Sequence, residues 1–263
     1  MKYIDFIADY GKITGHDDLA FSEVCGKLCA EFKERGLDFP LIKCLSVRPF
    51  NTVETGFVVA QLALNSKLGK AHIVYHNTAP RKDALNARSK NEGEFLAVAE
   101  LPSGVRVIGV FGGYTFSFIK EVAKVYRVKC ARDGSQFRSR DVFPPCVADL
   151  AAWEGSLADW PLLGEEVNDV PQMPENIILS IDGYGNIKTN LKEIENKKLV
   201  TLNGIAQQAA IGDGIFSVPD GCLIVAPGSS GFNGEKFAEI CLRGGSAATL
   251  FGNPVPGDKI HLD

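Results

Sequence analysis

The sequence predicts two domains: an N-terminal α/β unit on a mostly parallel sheet, and a C-terminal antiparallel β-barrel or sandwich. Three observations predict this. Apolar runs of strand length alternate with runs of helical period up to about residue 152, the pattern of a sheet covered by helices. From Glu154 to Pro174 that period is lost, and Gly155, Pro161, Gly164, Pro171 and Pro174 are interspersed with acids. Short alternating runs separated by dense turn residues then fill the rest of the chain. The expected boundaries are residues 1–153 for the first domain, 154–175 for a connection and 176–263 for the second.

The elements follow in order. Residues 3–8 form an apolar strand that ends at Asp9. Over 17–35, Leu19, Val24, Leu28 and Phe32 recur at the helical period, and Gly36 stops the run. A strand at 41–47 precedes a helix from Thr52 to Leu64 that buries Val53, Phe57, Ala60 and Leu64. Strands are expected at 71–76, 94–100, 105–110 and 123–129, with a short helix near 114–120. Ligands of such sheets sit beyond the carboxyl ends of the strands, where Asp9, His76 and Asn77 fall. In the second domain strands are expected at about 176–182, 186–191, 199–203, 206–210, 222–226, 237–242 and 258–262.

Composition narrows the function classes. A chain of 263 residues with 45% hydrophobic and 23% charged residues reads as an ordinary globular protein. A net charge of −4 gives no reason to expect binding to a nucleic-acid backbone, so no nucleic-acid partner is expected. No apolar run reaches membrane-spanning length, so no membrane association is expected. The start, Met1-Lys2-Tyr3-Ile4-Asp5-Phe6, reads as a strand with an acid where a signal peptide needs apolar residues; a cytoplasmic location is expected. Seven cysteines include no Cys-x-x-Cys pair. Cys25 and Cys29, four apart on a helix, read as small apolar side chains, or as half of a metal site needing two more ligands. With four histidines and no His-Glu-x-x-His spacing, neither a metal nor another cofactor is expected.

The richest stretch is Ile181-Asp182-Gly183-Tyr184-Gly185-Asn186-Ile187-Lys188-Thr189-Asn190. Asp182 offers acceptor oxygens, Tyr184 a ring face, and Asn186 both donors and acceptors, a set suited to a polar, flat ligand. The same residues also suit a plain β-hairpin whose Gly183 and Gly185 make a tight turn. Two further segments bear on the choice: Gln136-Phe137-Arg138-Ser139-Arg140-Asp141-Val142-Phe143-Pro144-Pro145, and Glu239-Ile240-Cys241-Leu242-Arg243-Gly244-Gly245-Ser246-Ala247-Ala248. In this order and spacing the three resemble the family that cleaves S-adenosylmethionine at its adenosyl C5′. That family comprises the adenosine-forming hydrolases (hydroxide adenosyltransferases) and the fluorinases and chlorinases. Asp9, in Ile7-Ala8-Asp9-Tyr10-Gly11, matches the family's opening Asp-aromatic-Gly.

The resemblance implies an adenosyl ligand, with S-adenosylmethionine as substrate. Asp9 would clamp the ribose hydroxyls, Asn77 would lie beside the ligand, and Asp182 and Asn186 would hold the methionine amino and carboxylate groups. Tyr184 would stack on the ligand, while Ser229, Arg243 and Gly244 would touch the methionine end or the adenine edge. It also implies a homotrimer with ligand between domains of neighbouring copies. The chemistry needs no metal: the sulfonium is already a leaving group, and positioning and desolvation carry the displacement.

The chain departs from the hydrolase pattern where water is activated. The family's Asp-Pro-Gly-Val-Gly-Thr-x-Arg loop reads Tyr75-His76-Asn77-Thr78-Ala79-Pro80-Arg81, in which Arg81 alone keeps its type. Arg138 replaces a later His, and Phe111-Gly112-Gly113-Tyr114 replaces Pro-Asp-Asn-Gly. His76 is then either a relocated base, assisted by Arg81, or a structural residue. Ser139 stands where fluorinases carry Ser; it lines the nucleophile's pocket or caps a helix. Two functions remain open on these residues: cleavage of S-adenosylmethionine at C5′, most simply by water and otherwise by another nucleophile such as halide, or binding of an adenosyl compound or nucleoside without turnover.

Overall fold

A computed structural model describes residues 1–11, 19–80, 92–192, 194, 198–232 and 234–263. The chain divides into two units, Met1–Gln172 and Met173–Asp263.

The first unit runs β1 (Tyr3–Ala8), α1 (Leu19–Glu34), β2 (Leu41–Ser46), α2 (Thr52–Leu64), β3 (His72–Asn77), β4 (Leu96–Glu100), β5 (Arg106–Val110), β6 (Tyr126–Val128), α3 (Arg138–Asp141), α4 (Phe143–Ala152) and β7 (Leu163–Glu166). They build one seven-stranded sheet in the order β2-β1-β3-β5-β4-β6-β7. The first four strands of that order are mutually parallel, and β4, β6 and β7 continue it antiparallel.

Strand alternation divides the apolar residues between two cores. Ile4, Phe6, Ile73, Tyr75 and Ile108 meet Phe21, Val24, Leu28 and Phe32 of α1 and Val147 and Leu150 of α4. Ile7, Val74 and Val107 on the other face meet Val59 and Ala63 of α2, together with Phe116 and Ile119. The Asn51 side chain accepts from the Glu54 N–H and caps α2.

Two expectations are corrected in this unit. The stretch 154–175 is not a free connection: β7 pairs with β6, and Ser117 Oγ donates to the Pro171 carbonyl at 2.7 Å. Residues 114–120 form turns and a single 3-10 turn at Ile119–Glu121 instead of an α-helix.

The second unit runs β8 (Ile178–Ile181), β9 (Ile187–Thr189), β10 (Leu199–Leu202), β11 (Ile205–Gln208), β12 (Ala210–Ile211), β13 (Leu223–Phe232), β14 (Glu235–Leu242), α5 (Ala247–Leu250) and β15 (Ile260–Leu262). Its sheets are three-stranded, β11-β10-β15, and five-stranded, β12-β13-β14-β9-β8. All pairings are antiparallel except β12 with β13. Both sheets bury side chains in one apolar core: Val200, Leu202 and Ile260 from the first, Ile187, Val225 and Ile240 from the second. Among the described residues they face that core as two sheets and do not close into a barrel. The strand expected at 206–210 is broken at Ala209, which donates to Lys198 O, so its two halves serve different sheets.

Among the described residues, no helix is long and apolar enough to cross a membrane.

Candidate functional site

The order of the first sheet reverses between β1 and β3: the chain leaves β1 towards β2 on one side, and β3 lies on the other. In sheets of this kind that point opens a crevice at the carboxyl ends of the strands. Asp9 follows β1 there and Asn77 ends β3, its neighbour in register being Ala8. Asn77 Nδ2 donates to the Tyr10 hydroxyl at 2.8 Å, and the Tyr10 hydroxyl donates in a very short bond to Ser139 Oγ. Tyr75 donates to the Ser139 carbonyl at 3.3 Å. A polar chain Asn77–Tyr10–Ser139 therefore spans the switch point. The Tyr10 ring is fixed edge-on by Phe6, Phe21 and Phe137, with centroids 6.0, 5.3 and 5.8 Å away. Ser139 is buried and does not cap α3, whose capping residue is Phe137 without a side-chain bond.

Asp9 belongs to the other face of the sheet. Its Oδ2 accepts the Phe50 N–H at 2.8 Å, in the connection from β2 to α2. Phe50 has φ +61°, a left-handed conformation that a bulky residue adopts only when its surroundings hold it. Beyond it, the Thr55 and Thr78 hydroxyls lie 3.0 Å apart, and Thr55 Oγ1 is 2.9 Å from the Asn51 carbonyl. Gly113, at φ +50°, packs so closely on Thr52 that a side chain there would collide with it. That contact, with the Pro80 ring packed against Gly112, explains why the loop after β5 carries a glycine pair at Gly112-Gly113.

His76 does not fit the role of a base. Strand alternation turns it away from Asn77, into the core beneath α2, where it is fully buried. Its ring sits against Gly109 and 5.0 Å from the Phe116 ring centroid, and neither nitrogen has a hydrogen-bond partner. Burial in these apolar surroundings pushes its pKa from 6.5 down to about 3. It is a neutral, enclosed imidazole. Arg81, its expected helper, lies outside the described residues. Arg138 serves the fold: its guanidinium donates to the Arg132 carbonyl at 2.7 Å and lies 5.3 Å from the Phe143 ring.

In the second unit the Asp182 carboxylate closes its own hairpin. Oδ1 accepts from the backbone N–H groups of Tyr184 and Asn186 at 2.9 and 3.0 Å, and Oδ2 accepts from Asn186 Nδ2 at 3.0 Å. Gly185, at φ +82°, completes the turn, and its carbonyl accepts from Ala248 N. The Asp182 carboxylate and one Asn186 amide hydrogen are thus engaged in holding the turn. Tyr184 is 83% exposed at the tip. Ser229 is bound through its N–H and hydroxyl to Glu239 Oε1, at 3.0 and 3.1 Å, and Lys188 Nζ reaches the same oxygen at 2.6 Å. Arg243 donates to the Val218 carbonyl at 2.5 Å and lies 5.8 Å from the Phe216 ring. Gly244, at φ +77°, packs against the Asp220 carboxylate.

Of the residues expected in the site, the first unit brings Asn77 and Ser139 together through Tyr10 on one face of its sheet, and places Asp9 at the same end on the other face. Tyr10 and Tyr75 complete that end and were missed. Tyr10 was legible as the aromatic of Asp9-Tyr10-Gly11, whereas nothing in the sequence marks Tyr75. A hollow of about 390 Å³ walled by Lys120, Val125, Glu166 and Val170 includes none of these residues. Among the described residues, no cluster of three His, Cys, Asp or Glu side chains has a metal-holding arrangement.

No known protein-family pattern matches the chain, and no curated protein does. Two solved structures are similar in fold. An uncharacterized conserved protein from Thermotoga maritima superposes with a TM-score of 0.70 at 18% identity, over 99% of this chain and all of that one. A conserved hypothetical protein from Thermus thermophilus does so with a TM-score of 0.68 at 18% identity, over the whole of both chains. The fold, an α/β sheet domain followed by antiparallel sheets, is shared end to end.

Proposed function

We propose that this chain binds an adenosyl compound at the carboxyl end of its first sheet, with Asp9 accepting the ribose hydroxyls. The observation that carries the reading is that the strand-order reversal has polar groups on both faces, the Asn77–Tyr10–Ser139 chain on one and the Asp9 carboxylate on the other. A carboxylate is suited to vicinal hydroxyls because it accepts from both in charge-assisted bonds. The Phe50 N–H holds the Asp9 carboxylate in one orientation, so little freedom is lost when a ligand arrives. Asn77, Tyr10 and Ser139 supply a fixed row of polar groups at the same end of the sheet, on its other face.

Cleavage of S-adenosylmethionine at C5′ is the reaction proposed for this site. Methionine thioether leaves as the nucleophile approaches in line, so the protein's task is to fix the ribose and strip water from the nucleophile. With His76 enclosed, the described residues offer no histidine to activate water here. Absence of a positioned base costs about 10²–10⁴-fold in rate. The second reading, adenosyl binding with little or no turnover, is favoured by that enclosure. A homotrimer belongs to the same proposal, and a monomer by light scattering at micromolar concentration removes it.

Chromatography of adenosine released from S-adenosylmethionine separates the two readings. Slow release that Ser139→Ala abolishes supports cleavage; binding without release supports the second. Rapid turnover that survives both Asp9→Ala and Ser139→Ala contradicts the site itself.

A further inference from the structure

We propose that Cys25 and Cys44 form an oxidisable dithiol, a modification site at which peroxide joins α1 to the edge strand β2. Their sulfurs lie 3.5 Å apart in the reduced chain. A disulfide is about 2.05 Å long, so closure needs a shift of roughly 1.5 Å, within reach of side-chain rotation. The sequence builds the pair through two periodicities. Cys44 is opposite Phe6 in the β1–β2 register, so both point to the face that α1 covers. Cys25 follows Val24, which is buried against that face, and therefore sits on the flank of α1 nearest the sheet's rim.

Exposure assigns the order of events. β2 is the outermost strand on its side of the sheet, and Cys44 is exposed there. Cys25 is half-buried, and its thiol is pushed up by the hydrogen bond to Cys44 and then by burial, which keeps it protonated. Cys44 meets the oxidant first. Its thiolate attacks a peroxide oxygen, the O–O bond breaks, and Cys44 becomes a sulfenic acid as water leaves. The Cys25 sulfur then attacks the Cys44 sulfur, forming the S–S bond and releasing a second water. Two thiols lose two hydrogens and two electrons, and one hydrogen peroxide becomes two waters.

The bond would tie α1 to the strand that leads into the Asp9 wall. Just past β2, Val47 N donates to the Ala8 carbonyl at 3.1 Å, and Phe50 N donates to Asp9. The molecule carries its own comparison in Cys130 and Cys146, which both approach the Val142 carbonyl, at 3.8 and 4.0 Å. Cys146 is buried in the core between the sheet, α1 and α4, and Cys130 is half-buried, so neither thiol of that pair is exposed as Cys44 is.

The test is hydrogen peroxide added to the full chain at neutral pH, followed by intact mass and a non-reducing peptide map. The expected result is a loss of about 2 Da, a Cys25–Cys44 crosslinked peptide, and a Tm raised by several degrees that dithiothreitol reverses. Cys44→Ser and Cys25→Ser should each abolish the crosslink. A disulfide mapped to Cys130–Cys146 or to Cys29 overturns the proposal, and so do mass gains of about 16 Da with no crosslink. The wild-type map decides even if a variant folds poorly.

Discussion

Asp9-Tyr10-Gly11 and Asp182-Gly183-Tyr184-Gly185 use the same residue types to opposite ends. Asp182 satisfies itself within five residues, binding the N–H groups of Tyr184 and Asn186 and the Asn186 amide, and its tyrosine points into solvent. Asp9 binds across 41 positions to Phe50, and its tyrosine is packed among three aromatic rings and bonded to Ser139. The first arrangement is a turn held by local bonds. The second is a point at which three separate parts of the chain converge. Convergence, more than the presence of an Asp beside an aromatic residue, separates a candidate site from a well-made hairpin.

The largest effect that bears on this comparison concerns which face of β3 does the chemistry. His76 is neutral in the folded chain down to about pH 3, whereas an unfolded histidine titrates near 6.5. As pH falls below 6.5 the unfolded chain takes up a proton that the folded chain refuses, so stability is lost from 6.5 downwards until about 3. The slope is ~1.4 kcal/mol per pH unit, on the order of 5 kcal/mol across the window. Urea unfolding at pH 7 and pH 4.5 should show wild type losing about 2–3 kcal/mol more than His76→Leu between those pH values. Equal losses would mean that His76 is charged or solvated, and would return it to the site.

A smaller effect is expected at the hairpin. Asp182→Ala leaves two backbone N–H groups and one amide without an acceptor, and should destabilise the second unit by about 1–3 kcal/mol. Ligand affinity should change little. A variant that is as stable as wild type but has lost affinity for an adenosyl ligand would reverse the comparison and restore Asp182 as a ligand contact. Tyr10→Phe should cost about 1 kcal/mol of stability, because the phenol links Asn77 to Ser139 while its ring packing is retained. Unchanged unfolding midpoints would show that this link contributes nothing.

Periodicity made the interior legible and left the margins obscure. The strands at 3–8, 71–76 and 105–110 and the helix at 52–64 stand out because each buries a continuous apolar face. β7, with the sequence Leu-Gly-Glu-Glu, has no such signal; its strand character comes from pairing with β6. β13 runs through Pro227-Gly228-Ser229-Ser230-Gly231, which reads as a loop, because a bulge there lets it continue alongside β14. In the site, alternation along β3 already places His76 and Asn77 on opposite faces, so grouping them ignored a rule the sequence contained. The bonds from Phe50 to Asp9 and from Tyr10 to Ser139 were not legible, since tertiary packing alone brings those segments together.

Calorimetry with an adenosyl ligand on wild type, Asp9→Ala and Asp182→Ala tests the central claim most directly. Removing the charged partner of a buried polar ligand group costs on the order of 2–4 kcal/mol, so Asp9→Ala should weaken binding by about 30-fold or more while Asp182→Ala stays near wild type. Wild-type affinity in Asp9→Ala would contradict the assignment of the ligand to the carboxyl end of the first sheet.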